Sequence, residues 1–560
     1  MNNTVLKVED LHISFKHEGE YLEAVKGVSF EVMRGQTLGI VGESGSGKSV
    51  TTLAVMGLLP KNAMTTGRWT DMKGRAAMIF QEPMTSLNPV QRCGKQVEEM
   101  LLAHEKVSPQ EARQRTIQLF EEVMLPRPEK IYRSYPHEIS GGQKQRVMIA
   151  MALICHPDLL IADEPTTALD VTVQKTILDL LRTLQQKYHM GIIFITHDLG
   201  VIAQIADQVA VMYHGSIVEK GDADQVLHHP QHPYTKGLLA CRPPLDSRPR
   251  HLLTVKDFLE TKNEDFRNEN YPDAAANSQF SILNSQLKKD PPLLRVRDLE
   301  VTYPLETTLL GKVKKELKAV DGLSFDIYRG ETVGLVGESG CGKSTLGRAI
   351  LKLIEHSAGS IEYDGRSLDK LTSSEAKSLR RKMQIIFQDP YSSLNPRITI
   401  GDAIAEPLIV HYTSITRQTN NTRIPRTSIK EKVLSLMQQV GLEPDWYNRY
   451  PHEFSGGQRQ RVCIARALIL EPELVICDES VSALDVSVQA QVLNLLNDLK
   501  EQHGYTYLFI THDLSVVKFL SDRIMVMEHG RIVEQGPSDE LFAHPQHPYT
   551  QRLLAAIPRV

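Results

Sequence analysis

The chain contains two long segments that repeat each other in register, and this repeat constrains the fold more than any other feature. GIVGESGSGKS (39–49) matches GLVGESGCGKS (334–344) at an offset of 295 residues. YPHEISGGQKQR (135–146) and IADEPTTALDVTVQ (161–174) both find their matches 315 residues later. A repeat of this length predicts two similar domains in tandem rather than one large core.

The second copy is longer than the first by 20 residues, all before its YPHE word: 12 lie between Lys343 and Gln388 and 8 between Gln388 and Ser455. We expect these residues to lengthen loops or a helical subdomain without changing the core. Between the copies the chain is polar and Asn-rich, which is typical of a linker. The predicted organisation is a first domain at 1–255, a linker at 256–290 and a second domain at 291–560.

Composition limits the class of partner. The 64 basic and 68 acidic residues give a net charge of −4, which offers no broad surface for nucleic acid, and no nucleic-acid partner is expected. The six cysteines form no CxxC cluster, so neither a disulfide framework nor a zinc or iron–sulfur module is indicated. No apolar stretch reaches the ~20 residues of a membrane span, and we expect membrane contact only through partner proteins.

Each copy opens with strand-like alternation, followed by a short apolar strand, a Gly-rich turn and a helix, the rhythm of an α/β nucleotide-binding domain. The turn is a complete GxxxxGK[ST] motif, whose glycines let backbone N–H groups face phosphates, while the Lys adds a point charge and the Ser a Mg²⁺ ligand. A merely structural turn is the alternative, disfavoured by two copies in register. The predicted P-loop residues are Gly42, Glu43, Ser44, Gly45, Ser46, Gly47, Lys48 and Ser49, and Gly337, Glu338, Ser339, Gly340, Cys341, Gly342, Lys343 and Ser344.

Two further strands, LLIADE (159–164) and LVICDE (474–479), each end in adjacent carboxylates. At the end of a strand Asp163 or Asp478 can reach a Mg²⁺ ion beside the P-loop, while Glu164 or Glu479 extends to the γ-phosphate and polarises the attacking water. These two pairs are therefore predicted as the metal-binding and catalytic carboxylates.

A histidine and a helix N-terminus complete the predicted phosphate-binding residues of each copy. His197 and His512 close an apolar strand and are placed to hydrogen-bond the γ-phosphate; a buried structural histidine is the alternative. A serine-glycine segment opens a helix in each copy and is a second phosphate-binding device, which one domain does not need but two domains facing head to tail do. Its residues are Ser140, Gly141, Gly142 and Gln143, and Ser455, Gly456, Gly457 and Gln458.

Together these motifs resemble the ATP-binding cassette (ABC) ATPases over nearly the whole chain. The resemblance implies an α/β fold of two P-loop NTPase cassettes, each a RecA-like core with antiparallel β and helical subdomains, that hydrolyse ATP with Mg²⁺. It also implies two composite sites, Lys48/Glu164 with Ser455 and Lys343/Glu479 with Ser140. The further roles it implies are adenine stacking for Phe15 and Tyr303, Mg²⁺ and water sensing for the Q-loop glutamines Gln81 and Gln388, and D-loop contacts for Asp170 and Asp485.

Departures from the family pattern are few. Ile139 and Phe454 replace the usual signature leucine, and Ser480 replaces the proline expected after the second catalytic glutamate. Every residue assigned to the chemistry is intact in both halves, so two hydrolysis-competent sites are expected.

Three words narrow the resemblance: SLNP after each Q-loop glutamine, YPHE before each signature and HPYT near each cassette's end. They resemble the ATP-binding subunits of the oligopeptide, dipeptide and nickel importers. That resemblance implies two separate permeases, an extracytoplasmic solute-binding protein and a peripheral position on the cytoplasmic face of the inner membrane. Dipeptides or oligopeptides are the first expectation for the solute, glutathione-like or antibiotic peptides the next and nickel the last. Only Cys241 follows the first HPYT, so the iron–sulfur cluster of some members is not expected.

Two alternatives stay open at this stage. A soluble tandem cassette acting on the ribosome in translation is the rival function, although such proteins would carry a charged helical arm between the cassettes. The word HPQHPYT, at 229–235 and 544–550, contains an HxxH spacing that could bind a metal. A rigid turn leading into a closing helix is the favoured interpretation of that word.

Overall fold

A computed structural model describes residues 3–17, 19–80, 86–166, 169–260, 291–307, 313–419 and 426–558. Each half contains a six-stranded sheet built from five parallel strands and one antiparallel edge strand, in the orders β5-β6-β7-β3-β8-β9 and β15-β16-β17-β12-β18-β19. The strands of the first are β3 (Thr37–Val41), β5 (Ala76–Ile79), β6 (Leu159–Asp163), β7 (Gly191–Thr196), β8 (Gln208–Tyr213) and β9 (Ser216–Asp222), and those of the second are β12 (Thr332–Val336), β15 (Met383–Ile386), β16 (Leu474–Asp478), β17 (Thr506–Thr511), β18 (Arg523–Glu528) and β19 (Arg531–Pro537).

A second, antiparallel sheet packs against each core. It has the order β2-β1-β4 in the first half and β11-β10-β13-β14 in the second. The strands are β1 (Thr4–His17), β2 (Glu20–Met33) and β4 (Ala63–Trp69), then β10 (Leu294–Thr307), β11 (Val313–Ile327), β13 (Ala358–Tyr363) and β14 (Arg366–Ser367).

The helices lie around these sheets, and most have counterparts in both halves. The first half contains α1 (Lys48–Val55), α2 (Cys93–His104), α3 (Pro109–Glu122), α4 (Pro128–Arg133), α5 (Gly141–Leu153), α6 (Val171–Tyr188), α7 (Leu199–Ile205), α8 (Ala223–His228), α9 (Pro233–Ala240) and α10 (Val255–Glu260). The second contains α11 (Lys343–Ile350), α12 (Ser373–Lys382), α13 (Pro390–Ser393), α14 (Ile400–Thr419), α15 (Arg426–Gln439), α16 (Gly456–Leu468), α17 (Val486–His503), α18 (Leu514–Leu520), α19 (Ser538–Ala543) and α20 (Pro548–Ala555).

The extra 12 residues of the second half fall in the stretch that contains β14 and α12, between the P-loop and the Q-loop glutamine. Helix α12 begins with a capping box in which Thr372 and Glu375 exchange side-chain and backbone hydrogen bonds. The insertion lies outside the six-stranded sheet, whose order is the same in both halves.

The core strands are apolar on both faces because helices cover the sheet. All five residues of β3, β6, β12 and β16 are buried, as expected for parallel strands between two layers. The carboxyl ends of β3 and β6 meet at one edge of the sheet, which brings the P-loop and the strand-end carboxylates together. No helix among the described residues is long and apolar enough to cross a membrane.

Helix α10 lies at the predicted boundary between the first domain and the linker. It packs on α9, where a side chain in place of Gly237 would meet the backbone of Val255 at 2.9 Å. The predicted linker therefore starts inside an element that is packed on the first cassette, and its residues 261–290 lie outside the described part of the chain.

The stretch between α9 and α10 does not stay on its own cassette. Residues 245–252, which we call the strap, lie on the second cassette. Leu245 packs on that cassette's apolar cluster, and the backbone of Leu252 exchanges two 2.8 Å hydrogen bonds with the Asn494 side chain of α17. The strap therefore ties the end of the first cassette to the core of the second.

One ion pair anchors the strap in the interior. Arg248 donates to the Phe519 carbonyl at 2.9 Å and lies 3.4 Å from Asp522, whose side chain is 2 % exposed. Burial alone would raise the pKa of Asp522, but Lys500 and Arg248 hold it below its ordinary value. Arg250 makes the corresponding exposed contact, an ion pair with Glu501 at 2.6 Å.

We expect Arg248→Ala to lower the free energy of unfolding of the second cassette by about 2 kcal/mol, because it removes a charged hydrogen-bond donor from the buried Asp522, which keeps Lys500 as its other partner. Arg250→Ala is the matched control on the same strap, and because its pair is exposed it should change stability by less than about 1 kcal/mol. Urea unfolding followed by near-UV circular dichroism measures both. Equal effects of the two substitutions would contradict the anchoring role of Arg248.

Candidate functional site

The P-loop of each cassette closes around its own lysine. The Lys48 ammonium donates to the Gly42 carbonyl at 2.7 Å and to the Glu43 carbonyl at 2.8 Å. The second cassette repeats both bonds, at 2.7 and 2.9 Å. Burial lowers the pKa of Lys48, although nearby carboxylates counteract that effect. A buried ammonium held by neutral groups of its loop is a charge suited to a phosphate group.

Close approach of the backbone requires glycine at the start of the loop. Gly42 has φ 154°, and a Cβ there would stand 2.2 Å from the Met212 carbonyl at the end of β8. Gly337 repeats the position with φ 157° and the same 2.2 Å approach, to Met527. The loop therefore lies directly against the neighbouring strand, and a side chain cannot enter between them.

The first carboxylate of each strand end meets the last residue of the P-loop. Ser49 donates from Oγ to Asp163 at 3.0 Å, and Ser344 donates to Asp478 at 2.8 Å. Burial raises the pKa of both aspartates despite these hydrogen bonds. The serine hydroxyl and the aspartate carboxylate supply hard oxygen ligands, and the negative charge of the buried carboxylate is not fully compensated by its neighbours. This combination fits a small divalent cation.

The second carboxylate sits in a strained backbone conformation and faces the histidine. Glu164 and Glu479 have φ values of 47° and 48°, in the left-handed region that glutamate rarely adopts. In each case the backbone N–H is fixed by a 2.9 Å bond to the adjacent strand. His197 Nδ1 lies 3.3 Å from Glu164, and His512 Nδ1 lies 3.6 Å from Glu479.

In each glutamate–histidine pair, one partner stabilises the charged form of the other. Burial on its own would lower the pKa of His197, but the hydrogen bond and charge of Glu164, with smaller contributions from Asp485 and Asp198, raise it above its ordinary value. In the second cassette burial would raise the pKa of Glu479, yet His512 and other neighbours hold it below its ordinary value. The first site therefore favours a charged His197 beside Glu164, and the second an ionised Glu479 beside His512.

Gln388 also touches the second glutamate. Its amide donates from Nε2 to Glu479 Oε2 at 2.7 Å, so the Q-loop residue and the candidate base are in direct contact. The corresponding Gln81 lies outside the described residues.

The serine-glycine segments form exposed helix starts. Ser140 and Ser455 cap α5 and α16, each with a capping box completed by the glutamine three residues on. The next residue is an exposed glycine in both, whereas a Cβ on Gly142 or Gly457 would collide with a valine of α6 or α17, at 2.9 and 2.2 Å. The two glycines of each segment are therefore required for different purposes. The first leaves the surface at the helix N-terminus open, and the second allows two helices to pack closely.

Cross-cassette contacts join each P-loop to the opposite D-loop helix. The Glu43 side chain accepts a short hydrogen bond from Ser487, and Glu338 accepts one of 2.7 Å from Thr172. Residues 172 and 487 are equivalent positions of the repeat, so this part of the interface is symmetric. The structure therefore brings the two cassettes together at their predicted nucleotide sites.

The D-loop aspartates break this symmetry. Asp485 reaches across the interface, where its two oxygens accept from the N–H and Oγ of Ser44, both at 3.1 Å. Asp170 instead accepts from Val173 N at 2.9 Å and caps its own helix, α6. One carboxylate is thus used between cassettes and its equivalent within one.

The predicted adenine-stacking residues lie on the antiparallel sheets. Phe15 on β1 is partly buried and pairs with Leu22, while Tyr303 on β10 is 39 % exposed and pairs with Leu317. Leu22 and Leu317 are 60 and 51 % exposed, so each aromatic residue has an exposed apolar neighbour in register. Sequence reasoning missed these leucines, although their equivalent positions in the two halves were a usable signal.

Sequence reasoning also missed two tyrosines that touch the P-loops. The Glu43 N–H donates to Tyr234 Oη at 3.0 Å, and the Glu338 N–H donates to Tyr549 Oη at 2.9 Å. Both tyrosines belong to the HPQHPYT words, whose repetition was visible but whose contact with the P-loop was not.

Two family models and several known proteins match the chain. A family model described as ABC transporter matches residues 25–167 and 320–482, and one described as Oligopeptide/dipeptide transporter, C-terminal region, matches 218–264 and 533–560. The chain is 47% identical over 577 residues to the glutathione import ATP-binding protein GsiA of Escherichia coli O6:H1, covering 99% of this chain and 89% of that protein. GsiA of Shigella boydii serotype 4 gives the same identity and coverage. Among solved structures, the ATP-binding cassette MJ0796 in a post-hydrolysis state bound to ADP and Pi matches with a TM-score of 0.39 and 28% identity, covering 44% of this chain and 98% of that one.

Fold and site together define a pair of P-loop ATPase cassettes in one polypeptide. The chain belongs to the family of ABC transporter ATP-binding proteins, which confirms the resemblance found in the sequence. It is an ATPase with two ATP-binding cassettes. The alternative of a tandem cassette acting on the ribosome has no support in these relatives.

We expect the pKa of His197, measured by NMR on labelled histidine, to lie above the ordinary value of about 6.5. The ion pair with Glu164 is then fully present below pH 6.5 and is lost as the pH rises through the raised pKa. In Glu164→Gln the pKa should fall below the ordinary value, because burial remains and the carboxylate charge does not. Glu479→Gln is the control in the other cassette. A pKa of His197 that is the same in wild type and Glu164→Gln would refute the pairing.

Proposed function

We propose that the chain is the ATP-hydrolysing subunit of an importer for small peptides, with glutathione as the first candidate solute. The observation that carries this proposal is the combination of two complete sites with the HPYT region in a chain 47% identical to glutathione import ATP-binding proteins. The sequence alone favoured dipeptides or oligopeptides over glutathione, and those relatives change that order.

The site residues support a shared mechanism. Lys48 and Lys343, each held by two loop carbonyls, would bind the phosphates of ATP through the remaining N–H donor of the ammonium, and Ser49 with Asp163, and Ser344 with Asp478, would hold Mg²⁺. When bound, Mg²⁺ offsets negative charge on the phosphates. We assign the catalytic base to Glu164 and Glu479.

The opposite cassette would complete each site. The exposed Ser140 and Ser455 segments present helix N-termini, which favour a γ-phosphate held by the other P-loop. Glu43 and Glu338 contact the opposite D-loop helices, so a closing movement of the two halves over bound ATP would act directly on both P-loops. We propose that hydrolysis reverses this closure and so drives the transport cycle.

The partners we propose are a pair of permeases, which place the chain at the cytoplasmic face of the inner membrane, and an extracytoplasmic solute-binding protein. A groove of about 580 Å³ in the second cassette supports permease docking. Its lining combines the apolar residues Leu353, Leu379 and Val410 with the cations Lys352 and Arg380, a surface suited to a short amphipathic helix.

The groove is connected to the ATP site. Arg466, which lines the groove, also donates a short hydrogen bond to the Ser393 carbonyl at the end of α13. That helix begins two residues after Gln388, which bonds Glu479. A permease helix in the groove could therefore influence the candidate base through one arginine and one short helix.

The transport proposal is tested with the chain, two permeases and a binding protein reconstituted in liposomes. We expect glutathione delivered by the binding protein to stimulate ATP hydrolysis and to accumulate inside the vesicles. Dipeptides and Ni²⁺ are tested in parallel. Stimulation by Ni²⁺ alone, or by no solute, would overturn the assignment to peptide import.

In the same assay we expect Glu164→Gln and Glu479→Gln each to remove at least half of the ATP turnover, by comparable amounts, because each cassette contains a full set of site residues. The double variant should lose a factor of about 10²–10⁴, the usual contribution of a general base. If one single variant kept full ATPase and transport activity, the proposal of two working sites would fail.

For the docking groove we expect Val410→Asp to abolish copurification with the permeases, because a carboxylate would enter an apolar contact. Val410 is 60 % exposed, so the free chain should fold and bind ATP as before. Leu259→Asp, at a residue 41 % exposed on α10, is the matched control and should copurify normally. Normal copurification of the Val410 variant would place the permease elsewhere.

A further inference from the structure

The HPQHPYT words form the same structure in both cassettes. In the first, Glu219 of β9 accepts from the N–H groups of Gln231 and His232, at 2.7 and 3.1 Å. His232 then caps α9, with Nδ1 accepting from Tyr234 N at 3.2 Å. The second cassette repeats these bonds at 2.8, 3.0 and 3.2 Å. The histidine of the word is thus used as a helix cap, in agreement with the turn interpretation.

This turn delivers a tyrosine into the interior next to the P-loop. Tyr234 is fully buried, and Tyr549 is 2 % exposed. Their positions, second in α9 and in α20, are set by the preceding cap and by the N1 proline, which is favoured at a helix start. The carboxylate of β9 or β19 and the capped helix together hold each ring in place.

Each tyrosine hydroxyl accepts from one particular peptide group. That peptide joins Gly42 to Glu43 in the first P-loop: its N–H donates to Tyr234 at 3.0 Å, and its C=O accepts from Lys48 at 2.7 Å. In the second cassette the corresponding bonds are 2.9 and 2.7 Å. Because a peptide group is planar and rigid, fixing the direction of the N–H also fixes the direction of the C=O that receives the lysine.

The same residue faces the other cassette. The side chain of Glu43 accepts from Ser487, and that of Glu338 accepts from Thr172. A change in the orientation of the peptide would therefore move both the lysine contact within the cassette and the carboxylate contact between cassettes.

We propose that Tyr234 and Tyr549 are positioning residues for ATP binding, and that each HPQHPYT word is a brace that holds the Gly-Glu peptide of the P-loop, and through it the lysine, in the orientation that binds phosphate. The tyrosine does not touch the nucleotide in this proposal; it acts through the Gly-Glu peptide and the lysine. Burial raises the pKa of both phenols, so each stays neutral at physiological pH. The proposal rests on ATP binding by the cassettes and is independent of the transported solute.

The test replaces each tyrosine by phenylalanine in the full chain, which removes the hydroxyl and keeps the ring. To observe one site at a time, Tyr234→Phe is combined with Lys343→Ala, and Tyr549→Phe with Lys48→Ala. We expect the dissociation constant for ATP at the remaining site to rise by about tenfold, the loss of one buried hydrogen bond expressed at the P-loop. In chains with both lysines intact, KM for ATP should rise while kcat changes less than about twofold.

Tyr507→Phe is the matched control. Tyr507 is 1 % exposed and donates to the Leu496 carbonyl at 3.2 Å, so its replacement removes a buried hydrogen bond between a tyrosine hydroxyl and the backbone away from either P-loop. It should lower thermal stability about as much as Tyr549→Phe and leave ATP affinity unchanged. Unchanged ATP affinity in both HPYT variants, or an equal loss of affinity in Tyr507→Phe, would overturn the proposal.

Discussion

The buried lysine of each P-loop is the constraint on which the rest of the site depends. An ammonium withdrawn from water needs partners, and here it takes two carbonyls of its own loop, so the loop must curve back with those carbonyls turned inward. That curvature presses Gly42 against the end of β8, where a side chain would not fit. It also turns the neighbouring N–H outward to Tyr234. The glycine, the lysine and the distant tyrosine are parts of one arrangement.

Both cassettes hold the P-loop lysine in the same way, but the contacts between the cassettes are not equivalent at the two sites. Thr172 and Ser487 occupy equivalent positions and make equivalent contacts with the glutamate of the opposite P-loop. Asp170 and Asp485 are also equivalent, yet only Asp485 crosses the interface. Its charge stands close enough to raise the pKa of His197, so the first site is electrostatically linked to the second cassette.

Much of this could be predicted from one sequence, because the residues concerned occur in short motifs. A P-loop lies between a strand and a helix, and paired carboxylates lie at a strand end, so the contact between Ser49 and Asp163 follows from the order of parallel strands. The unequal use of Asp170 and Asp485 could not be predicted, since both lie in the same ALDV segment and have nearly the same neighbours in sequence. The contact of Tyr234 with Glu43 joins residues far apart in sequence, and no periodicity indicates such a pair. The contacts of the strap with the second cassette also join residues far apart in sequence, so they could not be predicted either.

Helix α17 makes both of the contacts that distinguish the two sites: one with the first P-loop and one with the strap. At its N-terminus Asp485 and Ser487 bind the first P-loop, and from its middle toward its C-terminus Asn494, Asn497 and Glu501 contact the strap. Its 18 residues span about 27 Å, so the first cassette holds it at two distant points. Helix α6, its counterpart, meets the second P-loop through Thr172 at one end. Separation at the first site must therefore either tilt α17 about the strap or detach the strap's buried Arg248, whereas α6 meets the second cassette through Thr172 and through a packing contact with α20. Fusion thus does more than raise the local concentration of one cassette near the other: through the strap, it makes the two ATP sites mechanically different in a chain whose site residues are nearly identical.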